Sequence, residues 1–384
     1  MIIFETGKSF WNGVRTLSEL VVQYFSFKQA PQERVESWKN EIACVIDSGL
    51  FIGGKHVLEF EEMWATAIGT KYAIGVSNGF DGLTLALESL ELPSGSLVAV
   101  PAHTFIATWT SVVRAGLTPI GVDVDEEGLI DLESFLKISQ KVKVVIPVHM
   151  HGSMVNMKLL QEICKSEDIL IIEDASQAHF ASLEGKRAGS YGHVNVFSLY
   201  PTKNLGALGD AGVITTNDQN VYNRILEMRS YGSSSGKKYE HQSLGYNMRL
   251  DAIQAAILKV NLKHLDFDNH SRQKIASKYE NYLKWNYFKP LQKLQEGRVF
   301  HHYCILSEHR DEIRSFLHQR GIETEIHYPN LAATEFNRMF KRQIESFPQG
   351  ESISNSVLSL PNSPWHTESQ INSVIVALND FRPS

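Results

Sequence analysis

The chain is predicted to be an α/β protein with a mostly parallel central sheet wrapped by helices, and three observations carry that expectation. First, short apolar runs rich in β-branched residues alternate with stretches of helical apolar spacing. The runs lie at Leu97 to Pro101, Pro119 to Val122, Val142 to His149, Ile169 to Glu173, Val194 to Ser198 and Gly212 to Thr216. Second, the run ILII from Ile169 stops abruptly at Glu173 and Asp174, as a buried parallel strand does where it opens into a ligand crevice. Third, Tyr72 to Leu87 passes from a strand pattern through Ser77, Asn78 and Gly79 into a helix pattern, which aims free backbone N–H groups at an anion.

A chain of 384 residues exceeds the size at which a single core stops growing, so two domains are expected. From Arg249 to about Leu283 the spacing is helical with no Pro or Gly, which predicts one long helix, or two in tandem, leading into the second domain. After it, Val299 to Ser307 reads as a strand, Arg310 to Gln319 as a helix, Gly321 to His327 as a strand and Thr367 to Phe381 as a closing helix. The aromatic and His residues at 300–303 read as core strand, not as ligands. The expected division is a leading segment over 1–34, a large α/β domain over 35–260, and a connecting helix with a smaller α+β domain over 261–384. The leading segment reads either as an extra helix or as an arm. Met1 to Lys8 shows no signal-peptide pattern, and Leu17 to Phe27, interrupted by Gln23 and Ser26, is too short to span a bilayer.

Composition excludes some classes. Apolar content of 43% and charged content of 21% are those of an ordinary globular enzyme. A net charge of -6 provides no basic field for nucleic acid or for an anionic membrane, so any phosphate must be recognised locally. Cys44, Cys164 and Cys304 lack metal-type spacing and cannot all pair, which fits reduced thiols in the cytoplasm.

The chemistry concentrates in Phe197 to Gly212, FSLYPTKNLGALGDAG, which sets Lys203 between an apolar run and a string of glycines. Partial desolvation there lowers an amine's pKa and frees it to attack a carbonyl or to hold an aldehyde cofactor. Read alone, the segment also fits a surface lysine in a turn. Asp174, at a strand end, would project into the crevice with Gln177 three residues on. A carboxylate so placed can pair with the protonated nitrogen of a pyridine cofactor, and Gln177 can donate to the ring's phenolic oxygen. The two read equally well as a helix N-cap and a solvated side chain. Ser198 can add a hydroxyl to a phosphate held at Asn78 and Gly79. Lysine, carboxylate and anion pocket together fit pyridoxal 5′-phosphate. Neither a G-x-G-x-x-G turn after the first strand nor a G-x-x-x-x-G-K-[ST] loop is present.

These segments carry a family resemblance. FIGG from Phe51, VSNGFDGLTLAL, VPAHTFIAT from Val100, PVHMHG from Pro147, EDASQAHFAS from Glu173, SLYPTKNLGALGDAG from Ser198, LGYNMRLDAIQAAIL from Leu244 and EIHYPN from Glu325 occur in order. The chain thereby resembles the DegT/DnrJ/EryC1/StrS nucleotide-sugar aminotransferases, fold-type I pyridoxal phosphate enzymes, over nearly its whole length. The resemblance implies that Lys203 is the lysine linked to the cofactor, Asp174 the partner of the ring nitrogen, Gln177 the contact of the ring oxygen and Ser198 a phosphate ligand. It also implies that Phe105 stacks on the ring and that Asn247 reaches the phosphate from the neighbouring subunit of a homodimer. On the substrate side it points to His151, Tyr200, Arg249, His327 and Tyr328, with Arg249 meeting a diphosphate oxygen or serving a structural ion pair.

Departures from the family pattern are equally specific. Phe80 stands where the phosphate loop usually has Thr, Gly82 replaces a common Ala, and His151 takes the place of a usual Tyr. The expected reaction moves an amino group from an amino acid, glutamate, to a nucleotide-linked keto sugar. Members that remove a hydroxyl instead have His at the lysine position, so Lys203 favours transamination. AHTFIATW from Ala102, with SVVRAG following, looks closest to the subset acting at C3 of a dTDP-linked 3-keto-6-deoxyhexose. A 4-keto substrate on UDP, GDP or dTDP is the alternative, and a cofactor-binding regulator or an amino-acid lyase of the same fold are more remote ones.

Overall fold

The computed structural model describes residues 22–233, 239–343 and 345–384. The apolar runs become β1 (Tyr72–Val76), β2 (Leu97–Pro101), β3 (Thr118–Val122), β4 (Val144–Val145) and β5 (Leu170–Asp174). A small ribbon of β6 (Ser182–Leu183) and β7 (Lys186–Arg187) follows, then β8 (Val194–Ser198) and β9 (Gly212–Thr216). Seven of these form one sheet in the order β1-β9-β8-β5-β4-β2-β3. The neighbours from β8 through β5, β4 and β2 to β3 pair in parallel, whereas β9 runs antiparallel to both β1 and β8. The sheet is therefore mostly parallel with one reversed strand, and its parallel strands are apolar on both faces because helices cover both.

Residues Ile74, Val98, Val100, Val144, Ile172 and Val196 are completely buried in one core, and Trp64, Phe60 and Phe197 in another on the opposite side of β1 and β9. The helix Gly79–Glu88 leaves β1 and lies across β8 and β9. Gly82 explains how close it comes, since a Cβ there would lie 2.8 Å from Val196 Cγ1. The small residue at this departure from the family pattern is thus a packing requirement.

The segment expected to be one or two helices is two, Ala252–Leu262 and Leu265–Tyr282. The second meets another sheet of β10 (Lys289–Pro290), β11 (Tyr303–Leu306) and β12 (Val357–Leu360), all antiparallel. Ile275, Tyr279, Ile305, Leu358 and Leu360 bury there against the helices Arg310–Gln319 and Glu368–Asp380. Thr367 caps the last helix: its Oγ1 accepts from Gln370 N at 3.2 Å while its own N donates to Gln370 Oε1 at 2.9 Å. Such a reciprocal cap contributes about 1 kcal/mol.

The stretch Gly321 to His327, expected to be a strand, is not one. Ile322 bridges Val22 in parallel and Glu325 bridges Ser359 antiparallel, so its two ends pair with different neighbours and no ladder propagates. The strands expected over Val142 to His149 and Val299 to Ser307 shorten to β4 and β11. Of the leading segment, 1–21 lie outside the described residues, and with them positions 17–21 of the apolar stretch Leu17 to Phe27; Gln32–Ser48 is a helix whose Trp38 packs on Ile257 and Val260. No helix among the described residues is long and apolar enough to cross a membrane, and the three cysteines are unpaired.

Candidate active site

The carboxyl ends of β5 and β8 open into a cavity of about 430 Å³. Alternation along β5 sends its two terminal carboxylates in opposite directions. Glu173, fully buried, faces the fold. It accepts from His149 Nε2 at 2.9 Å, from Gly189 N at 2.9 Å, from Gly192 N at 2.8 Å and from Tyr191 N, fixing the loop that leads into β8. Asp174 faces the cavity. Its Oδ2 accepts from Thr108 Oγ1 at 3.2 Å and its Oδ1 from Ser176 N at 3.1 Å, and Thr104 Oγ1 lies 3.0 Å from Thr108 Oγ1. Only two hydrogen bonds from described residues reach this buried carboxylate, so acceptor capacity remains for a guest.

Lys203 enters the same cavity from the turn between β8 and β9. The turn is pinned by Lys203 N donating to Tyr200 O at 2.9 Å and Ala207 N donating to Leu199 O at 2.9 Å, with Leu205 and Ala207 fully buried. Burial pulls the Lys203 amine down to about 8, and the charge of Asp174 opposes that pull. The uncharged amine is the nucleophile, so acylation of Lys203 by a small reagent in the cofactor-free chain is expected to rise with pH and level off above about 8. Below that it should fall about tenfold per pH unit. Peptide mass spectrometry reads the profile, and a plateau reached only above pH 10 would contradict it.

At the third corner Asn78 caps the helix Gly79–Glu88, its Oδ1 accepting from Asp81 N at 2.8 Å and its Nδ2 donating to Asp81 Oδ2 at 2.9 Å. Among the described residues nothing accepts from the N–H groups of Gly79 and Phe80, which begin the helix on the cavity wall. A Cβ at Gly79 would lie 2.8 Å from Ser198 Cβ, so the cradle closes tightly on Ser198. Free helix N–H groups, a positive helix end and one hydroxyl suit a phosphate. Phe80 lines the wall in place of a hydroxyl, with the Arg114 guanidinium 5.1 Å from its ring centroid. Phe105 and Tyr200, each about half exposed, flank the opening.

Gln177, buried, accepts through Oε1 from His151 N at 2.7 Å and donates through Nε2 to Tyr328 Oη at 3.1 Å. His327 and Tyr328 stand on the wall with it. Three residues are not brought to the wall. His151 turns back at φ 59° and is buried between His103 and His302, with neither ring nitrogen bonded. Asn247 is exposed on the segment that bridges Ser230, and Arg249 sets its guanidinium 5.4 Å from the Tyr231 ring centroid. Conversely, Thr104, Thr108, Ser176, Thr202, Asp210, His301 and His302 line the cavity without having been singled out from the sequence. His301 and His302 were expected inside a core strand, but β11 begins only at Tyr303. No group of His, Cys, Asp or Glu among the described residues could hold a metal ion.

The histidines around the cavity are uncharged. Burial pulls His103 down to about 4 and His327 to about 3, Lys203 adding to the latter, and it pulls His301 and His302 well below the usual imidazole range. Burial likewise holds the Tyr328 hydroxyl in its protonated form.

A strand-end carboxylate opposite a poised lysine, with a helix N-terminus for phosphate between them on an α/β sheet, defines a pyridoxal phosphate enzyme of the aminotransferase type. The chain belongs to the DegT/DnrJ/EryC1/StrS aminotransferase family, whose family model matches residues 32–379. It is 36% identical over 367 residues to the dTDP-3-amino-3,4,6-trideoxy-alpha-D-glucose transaminase of Streptomyces venezuelae, covering 94% of this chain and 96% of that protein. It is 39% identical over 365 residues to the dTDP-3-amino-3,6-dideoxy-alpha-D-galactopyranose transaminase of Aneurinibacillus thermoaerophilus, covering 94% and 99%. Among solved structures, S. venezuelae DesV in complex with a ketimine intermediate superposes with a TM-score of 0.89 at 36% identity, covering 94% of this chain and 98% of that one. Pyridoxal 5′-phosphate is the cofactor of this class, and the cavity has the groups to hold it.

Proposed function

We propose that this protein transfers an amino group from L-glutamate to the C3 keto group of a dTDP-linked 3-keto-6-deoxyhexose, acting as a cytoplasmic homodimer. The observation that carries the reading is the convergence of Lys203, Asp174 and the Gly79 cradle on one cavity, in a chain whose two relatives above are both named for dTDP-3-amino sugars.

When bound, the cofactor supplies an electron sink for the pair of electrons left when the donor loses its Cα proton. Asp174 keeps the ring nitrogen protonated. Gly79 and Phe80 N–H and the Ser198 hydroxyl hold the phosphate, and Gln177 donates to the ring oxygen. Phe105 offers an aromatic face to an electron-poor ring. Lys203 Nζ, uncharged near neutral pH more readily than an exposed lysine, takes the proton from the donor's Cα as general base and returns it as acid. In the second half-reaction the same amine works in the opposite sense on the keto sugar. Neutral His302, His327 and Tyr328 can exchange hydrogen bonds with sugar hydroxyls at the wall facing these groups.

A partner subunit accounts for Asn247. The single chain leaves Phe51 and Ile52 about half exposed and Leu208 exposed to a lesser extent, and Ile52 bridges Asp251 while Leu208 N donates to Gln254 Oε1, so this apolar area adjoins the segment carrying Asn247. Exposed clustered apolar side chains favour association.

The test is incubation of purified protein with glutamate and a panel of dTDP-, UDP- and GDP-linked 3-keto and 4-keto sugars, read by mass spectrometry. The dTDP-linked 3-amino sugar is expected as the fastest product. Preferred turnover of a 4-keto sugar, or of another nucleotide, would refute the assignment of position or carrier.

A further inference from the structure

Tyr24 lies far in sequence from every residue of the cavity, yet its hydroxyl is 2.7 Å from His302 Nδ1. Backbone contacts hold it there. Val22 N donates to Gly321 O at 3.0 Å, Glu323 N donates to Val22 O at 2.9 Å, and Tyr24 N donates to Glu323 Oε2 at 2.7 Å. His366 Nε2 lies 2.8 Å from Gln23 O and adds a further tie. Beyond the hydroxyl, the His302 ring stacks on the His327 ring, with centroids 3.8 Å apart and planes 12° from parallel. His327 Nδ1 lies 2.9 Å from Ser359 Oγ. On both rings Nδ1 is therefore engaged, and Nε2 is the nitrogen left for the cavity whose wall the two residues share.

We propose that Tyr24 is a positioning residue for the sugar half of the reaction: its hydroxyl holds the His302 ring against His327, so that two imidazole Nε2 atoms present a fixed pair of hydrogen-bonding groups to adjacent sugar hydroxyls. The assignment rests on the aminotransferase reading above. Its physical basis is that an imidazole turns freely about its last side-chain torsion unless a hydrogen bond selects one orientation, and a site gains precision when such a partner is supplied from behind. Burial raises the Tyr24 hydroxyl well above the usual phenol range, so it stays a neutral donor and acceptor across physiological pH. Burial also keeps both imidazoles neutral, which suits hydroxyl groups, able both to donate and to accept, better than the oxygens of a diphosphate. The donor amino acid reacts beside Lys203 and Asp174, so its half-reaction does not depend on how the His302 ring is turned.

The experiment compares wild type, Tyr24→Phe, His302→Leu and the double variant, each loaded with cofactor. The glutamate half-reaction is followed by the cofactor's absorbance, and kcat and KM are measured for a dTDP-linked 3-keto-6-deoxyhexose. Tyr24→Phe is expected to raise KM for the sugar roughly 3- to 10-fold, the range for one neutral hydrogen bond, with kcat and the glutamate half-reaction within about twofold of wild type. In the His302→Leu background the same change should add nothing, because Tyr24 acts through that ring. An unchanged KM, an equal loss in the glutamate half-reaction, or an equal effect in both backgrounds would overturn the assignment while leaving the reaction intact. A wild-type protein that exchanges with glutamate but aminates no keto sugar would overturn the sugar reading itself, and this assignment with it.

Discussion

Changing Lys203 to Ala is expected to remove the glutamate half-reaction almost completely. The side chain is asked to do two things, to bond the cofactor and to carry a proton at the donor's Cα. Loss of positioned general acid–base catalysis alone costs about 10²- to 10⁴-fold. The variant should fold, because the turn that carries residue 203 is held by backbone bonds and by buried Leu205 and Ala207, none of which involves the amine. Single-turnover absorbance with glutamate checks the rate and circular dichroism checks the fold. Lys203→Arg sharpens the test, since a guanidinium keeps the charge yet cannot give up its proton. A rate within tenfold of wild type in either variant would mean that another group moves the proton.

The parts of this site legible in the sequence are those where one short segment contains both the positioning element and the functional group. Asp174 ends an apolar run, Asn78 and Gly79 follow one, and Lys203 comes shortly after another, so strand periodicity places each of them at the same edge of the sheet. The seven-stranded sheet was legible for the same reason, its strands being short unbroken apolar runs. What the sequence hid depends on contacts between distant segments. His301 and His302 look like strand residues, but Phe300 at φ 44° turns the chain and pairing begins only at Tyr303, which leaves both imidazoles at the cavity. Ile322 and Glu325 have the alternation of a strand and lack a common partner. The break near His264 between the two long helices carries neither Gly nor Pro and so left no mark in the pattern. Tyr24 could not have been assigned from spacing at all, because its ties to the site are a hydroxyl meeting the His302 ring 278 positions away and a ring contact with the still more distant His327.

Changing Asp174 to Asn should lower the rate of the glutamate half-reaction by about 10²- to 10³-fold, the usual effect of deleting one preorganised electrostatic partner, about 2.7–4 kcal/mol. The amide keeps the shape of the carboxylate, and its oxygen can still accept from Thr108 Oγ1 or Ser176 N, so packing changes little. What disappears is the negative charge. Two consequences follow, and they separate its role from a structural one. A cofactor analogue methylated on the ring nitrogen carries a permanent positive charge and needs no carboxylate to keep it, so it should restore a large part of the lost rate in the variant but not improve wild type. The second concerns Lys203. Asp174 raises the basicity of that amine against the stronger pull of burial, so its removal should shift the acylation profile of Lys203 to lower pH than about 8. The direction follows from the sign of the interaction: a protonated amine loses a stabilising neighbour, the free amine does not, and the free form becomes populated earlier as pH rises. A variant whose Lys203 profile stays at the wild-type position, or moves upward, would show that the carboxylate and the amine do not sense each other across the cavity.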